Sequence, residues 1–227
     1  MKIKAIIFDM DGIIIDSEPL QMESFIRTLK IYNIKLEKEE FLSLIGFDTY
    51  NNLKNLKSKY NIQSSIENLI ALKNKNYKEI LTKNLKERKG LRELIKKLVA
   101  DNYILALASS SAREDIDIVI QGLNLKKYFD AIVSGEDVKE KKPAPDIFIL
   151  TAKRLSVRPE ECLVLEDSEA GVLAAKQSGM KCIAVPTEFT LNHNFKFADS
   201  IVYNLDKVYQ GFHLFYKKIR IQNASKL

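Results

Sequence analysis

Asp9 and Asp11 stand two residues apart in "FDMDGIII", directly after an apolar run and just before Gly12. Two carboxylates that close repel, and each shifts the other's proton affinity. A buried strand has no need of such a tip, whereas a metal site or an acid–base pair does. Three more polar sets follow apolar runs further along: Ser109-Ser110-Ser111 after "YILALA", Lys141-Lys142 in "EKKPAPD", and Glu166-Asp167-Ser168 after "CLVL". These types suit phosphoryl transfer, which needs a nucleophile, cationic charge for the phosphoryl oxygens and a group for the leaving-group proton. Asp9, Asp11, Glu166 and Asp167 are hard oxygen donors suited to Mg²⁺. Ser109, Ser110 and neighbouring backbone N–H groups can hold phosphate oxygens, and Lys142 adds a fixed positive charge. The chain has no G-x-x-x-x-G-K-[ST] loop, which argues against an ATP-driven motor.

These groups have to be placed by the elements that precede them. The runs 3–8, 103–108, 131–134, 162–166 and 182–186 are short and apolar, as in strands buried on both faces of a parallel sheet. Between them lie helical stripes: "LRELIKKLVADN", "AREDIDIVIQGL", "PDIFILTAKRL" and "SEAGVLAAKQSG", the last with a Ser cap and a terminal Gly. Strand and helix in alternation predict an α/β fold, a doubly wound (Rossmann-like) parallel sheet. Ligands of such sheets bind beyond the carboxyl ends of the strands, where all four polar sets arrive. Taken singly, Ser109 serves equally as a helix cap, Lys142 as a surface lysine, and Glu166 and Asp167 as capping acids. Their arrival at one edge is what carries weight. One region breaks the rhythm. Residues 16–83 contain no good strand but four helical segments, beginning with "SEPLQMESFIRTLKIYN", where Pro19 lies in the first turn. We therefore expect a core of residues 1–15 and 84–227 with a helical cap of 16–83, a plausible lid. The apolar spacing of 205–219 predicts a docked amphipathic helix at the end.

The four sets, in this order, resemble the motifs of the haloacid dehalogenase superfamily, in the branch with a helical cap inserted after the first strand. "DMDG" is similar to its nucleophile motif, Ser109 to its hydroxyl motif, Lys142 in "KPAPDIF" to its lysine motif and "LEDSEAG" to its acidic motif. The resemblance spans essentially the whole chain. It implies that Asp9 attacks phosphorus to form an aspartyl-phosphate, and that Asp11 protonates the leaving oxygen and then activates water. It implies Mg²⁺ held by Asp9, the Asp11 carbonyl, Asp167 and, through water, Glu166. Sugar-phosphate phosphatases and β-phosphoglucomutases of this branch both match. The mutases carry a histidine where this chain has Gln21, and a cap arginine where Gly46 is followed by Thr49. A mutase cap lysine corresponds to Lys73, a position that equally suits a solvated helix face. Gln21, Gly46, Thr49 and Lys73 are the candidate substrate contacts. Hydrolysis of a small phosphate monoester is the favoured expectation; interconversion of β-glucose 1-phosphate and glucose 6-phosphate is the alternative, and a non-catalytic binding module the third.

Bulk properties narrow the partners. The chain has 227 residues, 46% apolar and 29% charged, the balance of an ordinary globular protein. The net charge is +6, but the lysines spread along every helix instead of forming one block, so nucleic acid is not expected. With no secretory h-region and no bilayer-length apolar stretch, we expect a cytoplasmic monomer acting on a small phosphorylated substrate. Cys162 and Cys182 each open a β-branched run and read as buried, reduced core residues. His193 and His213 have no partner pattern and read as bystanders.

Overall fold

The computed structural model describes residues 2–45 and 48–212. The apolar runs form β1 (Ala5–Phe8), β2 (Ile104–Ser109), β3 (Ala131–Ser134), β4 (Cys162–Glu166) and β5 (Lys181–Ala184). Together with β6 (Ser200–Ile201) they make one parallel sheet in the order β3-β2-β1-β4-β5-β6. The two-residue β6 has no periodicity to announce it in the sequence. The fifth strand is shorter than its apolar run, because beyond Ala184 the chain leaves the ladder after Val185 N–H donates to the Glu166 carbonyl at 2.6 Å. The connections run outward from β1 to β2 and β3, then return to β4 on the other side. The reversal lies between β1 and β4, the place where such sheets bind ligands. Register fixes the tips: Phe8 pairs with both Leu107 and Leu165, so Asp9 leaves the sheet level with Ala108 and Glu166.

The chain divides into two compact units. One runs to Asp16 and resumes at Lys86; the other is Ser17–Leu85. The second unit is wholly helical: α1 (Glu18–Lys30), α2 (Lys38–Leu42), α3 (Thr49–Lys59) and α4 (Ile66–Asn84). Pro19 sits in the first turn of α1, and Asp48 and Ser65 cap α3 and α4 through the N–H groups of Asn51 and Asn68. Phe25, Leu29, Phe41, Leu53, Leu56 and Leu69 are buried together as the core of this unit.

In the sheet-bearing unit α5 (Leu91–Ala100), α6 (Arg113–Gly122), α7 (Asp146–Arg154) and α8 (Glu169–Gln177) follow the chain between and after the strands. Ala5, Ile7, Ala106, Ala108, Val133 and Val164 pack with Phe148 of α7 and Val172 and Ala175 of α8. Ile6 and Phe8, at the alternate positions, are equally buried on the other face. Residues 205–212 are helical, with Leu205, Val208 and Phe212 buried. The rest of the anticipated terminal helix, with His213, lies outside the described residues. Cys162 and Cys182 are buried free thiols, and burial pushes Cys162 up to about 12. No helix among the described residues is long and apolar enough to cross a membrane.

Candidate active site

The buried Lys142 ammonium organises the carboxyl edge of the sheet. It donates to Asp9 Oδ1 at 2.6 Å and to Glu166 Oε1 at 2.7 Å, and reaches the Ala108 carbonyl at 3.3 Å. Lys142 arrives from the loop ahead of α7, Asp9 from the end of β1 and Glu166 from the end of β4, so three segments meet at one nitrogen. Burial pulls the Lys142 ammonium down, but Asp9 and Glu166 more than offset this and hold it above its ordinary value. Asp9 experiences the reverse. Burial pushes its carboxyl up to about 8, Lys142 opposes the shift, and the nearby charges of Glu166 and Asp11 add to it.

Glu166 is engaged at both oxygens. Oε2 accepts from Asp167 N–H at 2.9 Å, Ser168 N–H at 3.0 Å and the Ser168 hydroxyl at 2.9 Å. Ser168 also caps α8 through Gly171 N–H. Gly171 has no alternative residue: a Cβ there would stand 1.7 Å from Glu166 Oε1. Gly12 is similar, since its φ is +73° and a Cβ would stand 2.1 Å from Asp167 Oδ2. The loop after β1 and the loop after β4 are therefore in direct contact at Gly12 and Asp167.

Asp11 is anchored separately. Its Oδ2 accepts from the Ser111 hydroxyl at 2.7 Å and, at 3.4 Å, from Ser109. Its Oδ1 is buried with no hydrogen-bond partner among the described residues. Ser109 is wholly buried at the end of β2, and Ser110, half-buried beside it, packs its carbonyl against Gly135.

Asp9, Asp11, Ser109, Lys142, Glu166 and Asp167 thus lie at one edge, as the strand order demands. Three side chains there carried no sequence signal of their own. Ser111 is the third of three serines. Thr190, in "TEFTLNHN", is buried and donates to Asp167 Oδ2 at 3.5 Å. Arg88, in the lysine-rich "LKERKG", donates to the carbonyls of Gly12, Val185 and Pro186, tying three loops. Burial draws its guanidinium down from its ordinary value, against the pull of Asp167 and Asp16.

In the helical unit, Lys73 is not on a solvated face. It is buried, bonds Gln21 Oε1 at 2.5 Å and lies over the rings of Phe25 and Tyr77. Thr49 opens α3, half-buried, and Gly46 lies outside the described residues. His193 accepts from Glu169 N–H through Nδ1 at 3.4 Å, a loop contact rather than a site.

A family model described as haloacid dehalogenase-like hydrolase matches residues 6–185. The chain belongs to that family. It is 36% identical over 180 residues to the phosphorylated carbohydrates phosphatase of Thermotoga maritima, covering 79% of this chain and 83% of that one. It is 29% identical to the fructose-1-phosphate phosphatase YqaB of Escherichia coli, covering 79% of this chain and 95% of that one. Among solved structures, a Thermotoga maritima protein under a provisional β-phosphoglucomutase label has 32% identity and a TM-score of 0.80, covering 94% of this chain and 99% of its own. The family member is an enzyme of the phosphatase type.

Proposed function

We propose that the enzyme hydrolyses a small sugar-phosphate monoester in two transfers, first to Asp9 and then to water. The pairing of Lys142 with both Asp9 and Glu166 is the observation that carries this reading. It holds one oxygen of Asp9 and leaves Oδ2 to attack phosphorus. The Lys142 ammonium then faces the negative charge that gathers on the phosphoryl oxygens. Asp11, carried two residues on, donates a proton to the departing oxygen and takes one from the water that cleaves the acyl phosphate. Ser109 and Ser110 close the phosphate side with their loop. Two relatives named for phosphorylated carbohydrates and fructose 1-phosphate favour a sugar phosphate.

The residues fit Mg²⁺. Asp9, Glu166 and Asp167 are buried, and each offers an oxygen within 4.8 Å of the others. Burial, with the nearby charges of Glu166 and Asp11 adding to it, pushes Asp9 upward against Lys142, and a cation beside these acids would relieve that. Asp9 and Asp167 would hold the ion, with the doubly bonded Glu166 fixing their surroundings. Once bound, it would supply positive charge to the phosphoryl oxygens.

The test is incubation with Mg²⁺, β-glucose 1-phosphate and a trace of the 1,6-bisphosphate, alongside a panel of sugar phosphates. Free phosphate and glucose 6-phosphate are followed together. Phosphate release supports hydrolysis. Glucose 6-phosphate without phosphate replaces it with the mutase, and makes Gln21 a tolerated change from histidine. Silence on the whole panel, equal to that of Asp9→Asn, removes the sugar-phosphate assignment.

A further inference from the structure

We propose that Ser111 is a positioning residue for Asp11: its hydroxyl holds Oδ2 and so leaves Oδ1 as the oxygen that exchanges protons with substrate and water. The inference rests on the acid–base role proposed for Asp11. Ser111 Oγ donates to Asp11 Oδ2 at 2.7 Å, a good O–H···O distance, while Ser109 reaches the same atom only at 3.4 Å. The Ser109 hydroxyl has another use, accepting from Ser111 N–H at 3.1 Å. The Ser111 carbonyl in turn accepts from Gly135 N–H at 3.2 Å, at the end of β3. Both backbone groups of Ser111 are therefore fixed before its side chain makes any bond. That closeness depends on Gly135, where a Cβ would stand 2.3 Å from the Ser110 carbonyl oxygen.

Asp11 Oδ1 is buried and without a partner among the described residues. Leaving a carboxylate oxygen in that state is unfavourable unless a reacting group takes the place of the missing partner. In the first transfer the bond from phosphorus to the leaving oxygen breaks, the bond to Asp9 Oδ2 forms, and the leaving oxygen takes the proton from Asp11 Oδ1. In the second, water oxygen bonds phosphorus, its proton returns to Oδ1, and the Asp9 ester bond breaks. Ser111 changes neither balance. It keeps the carboxyl from turning its occupied edge toward the phosphorus.

Positioning of a proton donor has a signature that loss of packing lacks: it matters more as the leaving group becomes a stronger base. Single-turnover rates of P–O cleavage are measured for p-nitrophenyl, phenyl and ethyl phosphate with the Mg²⁺-loaded enzyme. For Ser111→Ala the loss grows along that series, and is about tenfold or more larger for ethyl than for p-nitrophenyl phosphate. Ser111→Thr, which keeps the hydroxyl, restores the wild-type dependence, and Ser111→Cys serves as a second variant should the alanine form melt early. An equal loss on all three esters, or no loss, overturns the assignment to Ser111. If the wild-type chain cleaves none of them, the phosphatase chemistry itself fails, and the role of Ser111 falls with it.

Discussion

The carboxyl edge of the sheet and the helical unit bury polar side chains in different ways. In the helical unit most of them are answered nearby. Ser24 bonds the Gln21 carbonyl and Thr28 the Ser24 carbonyl, each on its own helix, and Asn52 reaches Leu44. In the sheet-bearing unit Thr151 bonds the Ile147 carbonyl and Ser178 the Ala175 carbonyl just as locally, but at the carboxyl edge of the sheet the partners come from far along the chain: Lys142 to Asp9, Lys142 to Glu166, Ser111 to Asp11. Local pairing stabilises a scaffold at little cost to its neighbours. Distant pairing concentrates charge that no single element would tolerate, and makes each partner depend on the others.

The sharpest way to break this contrast is to remove the carboxylate proposed as nucleophile. Asp9→Asn is expected to lower turnover by about four orders of magnitude while the protein still folds, read by activity and circular dichroism together. Lys142→Met leaves two buried acids without their cation. Loss of about 3–5 kcal/mol in urea unfolding is expected, with turnover lost as well. A milder change in stability would mean that the acids are protonated or hydrated there, and the dependence claimed above would be wrong. Gly171→Ala drives a methyl into Glu166, whose oxygens are all engaged, and should cost about 2–3 kcal/mol and reduce Mg²⁺-dependent activity.

The helical unit is probed with Lys73→Met. If this unit selects the substrate, kcat/KM for the preferred sugar phosphate falls by about tenfold more than for p-nitrophenyl phosphate. Equal losses would return Lys73 to a purely structural place. The smallest effect concerns the loop before Lys142. There burial raises the Asp137 carboxyl, but bonds from Ser134 and the guanidinium groups of Arg154 and Arg113 prevail and hold it at about 2. Its contribution is complete above the ordinary value of 3.8 and fades as pH falls toward 2. Asp137→Asn should therefore be less stable than wild type by about 1 kcal/mol at neutral pH, with the two curves merging near pH 2.

The same contrast explains what could be read in advance. Strand tips are legible because an apolar run must end somewhere, and the rule of parallel sheets says where its end points. Asp9, Ser109 and Glu166 follow directly from that. Lys142 follows its strand only at some distance, and the family pattern of "KPAPDIF" is what separated it from Lys141. Arg88 and Thr190 could not be found, because their bonds go to backbone carbonyls and to one acid in loops that periodicity does not describe. Lys73 was ambiguous for a related reason. In "LKNKNYK" three lysines share one helix, and only packing against Phe25 and Tyr77 separates buried Lys73 from exposed Lys75 and half-buried Lys78.

The place of β1 at the middle of the sheet also bears on how the chain is made. It leaves the ribosome well before both of its neighbours: Ala5 pairs with Ile104 and Cys162, about 100 and 160 residues later. At roughly 5–20 residues per second, the four apolar residues of β1 wait several seconds or more for either neighbour. The helices between them can form in that interval, since their contacts are mostly local. Asp9 is thus synthesised well before it is positioned: the site is not assembled until the loop after β4 has emerged and closed against Gly12.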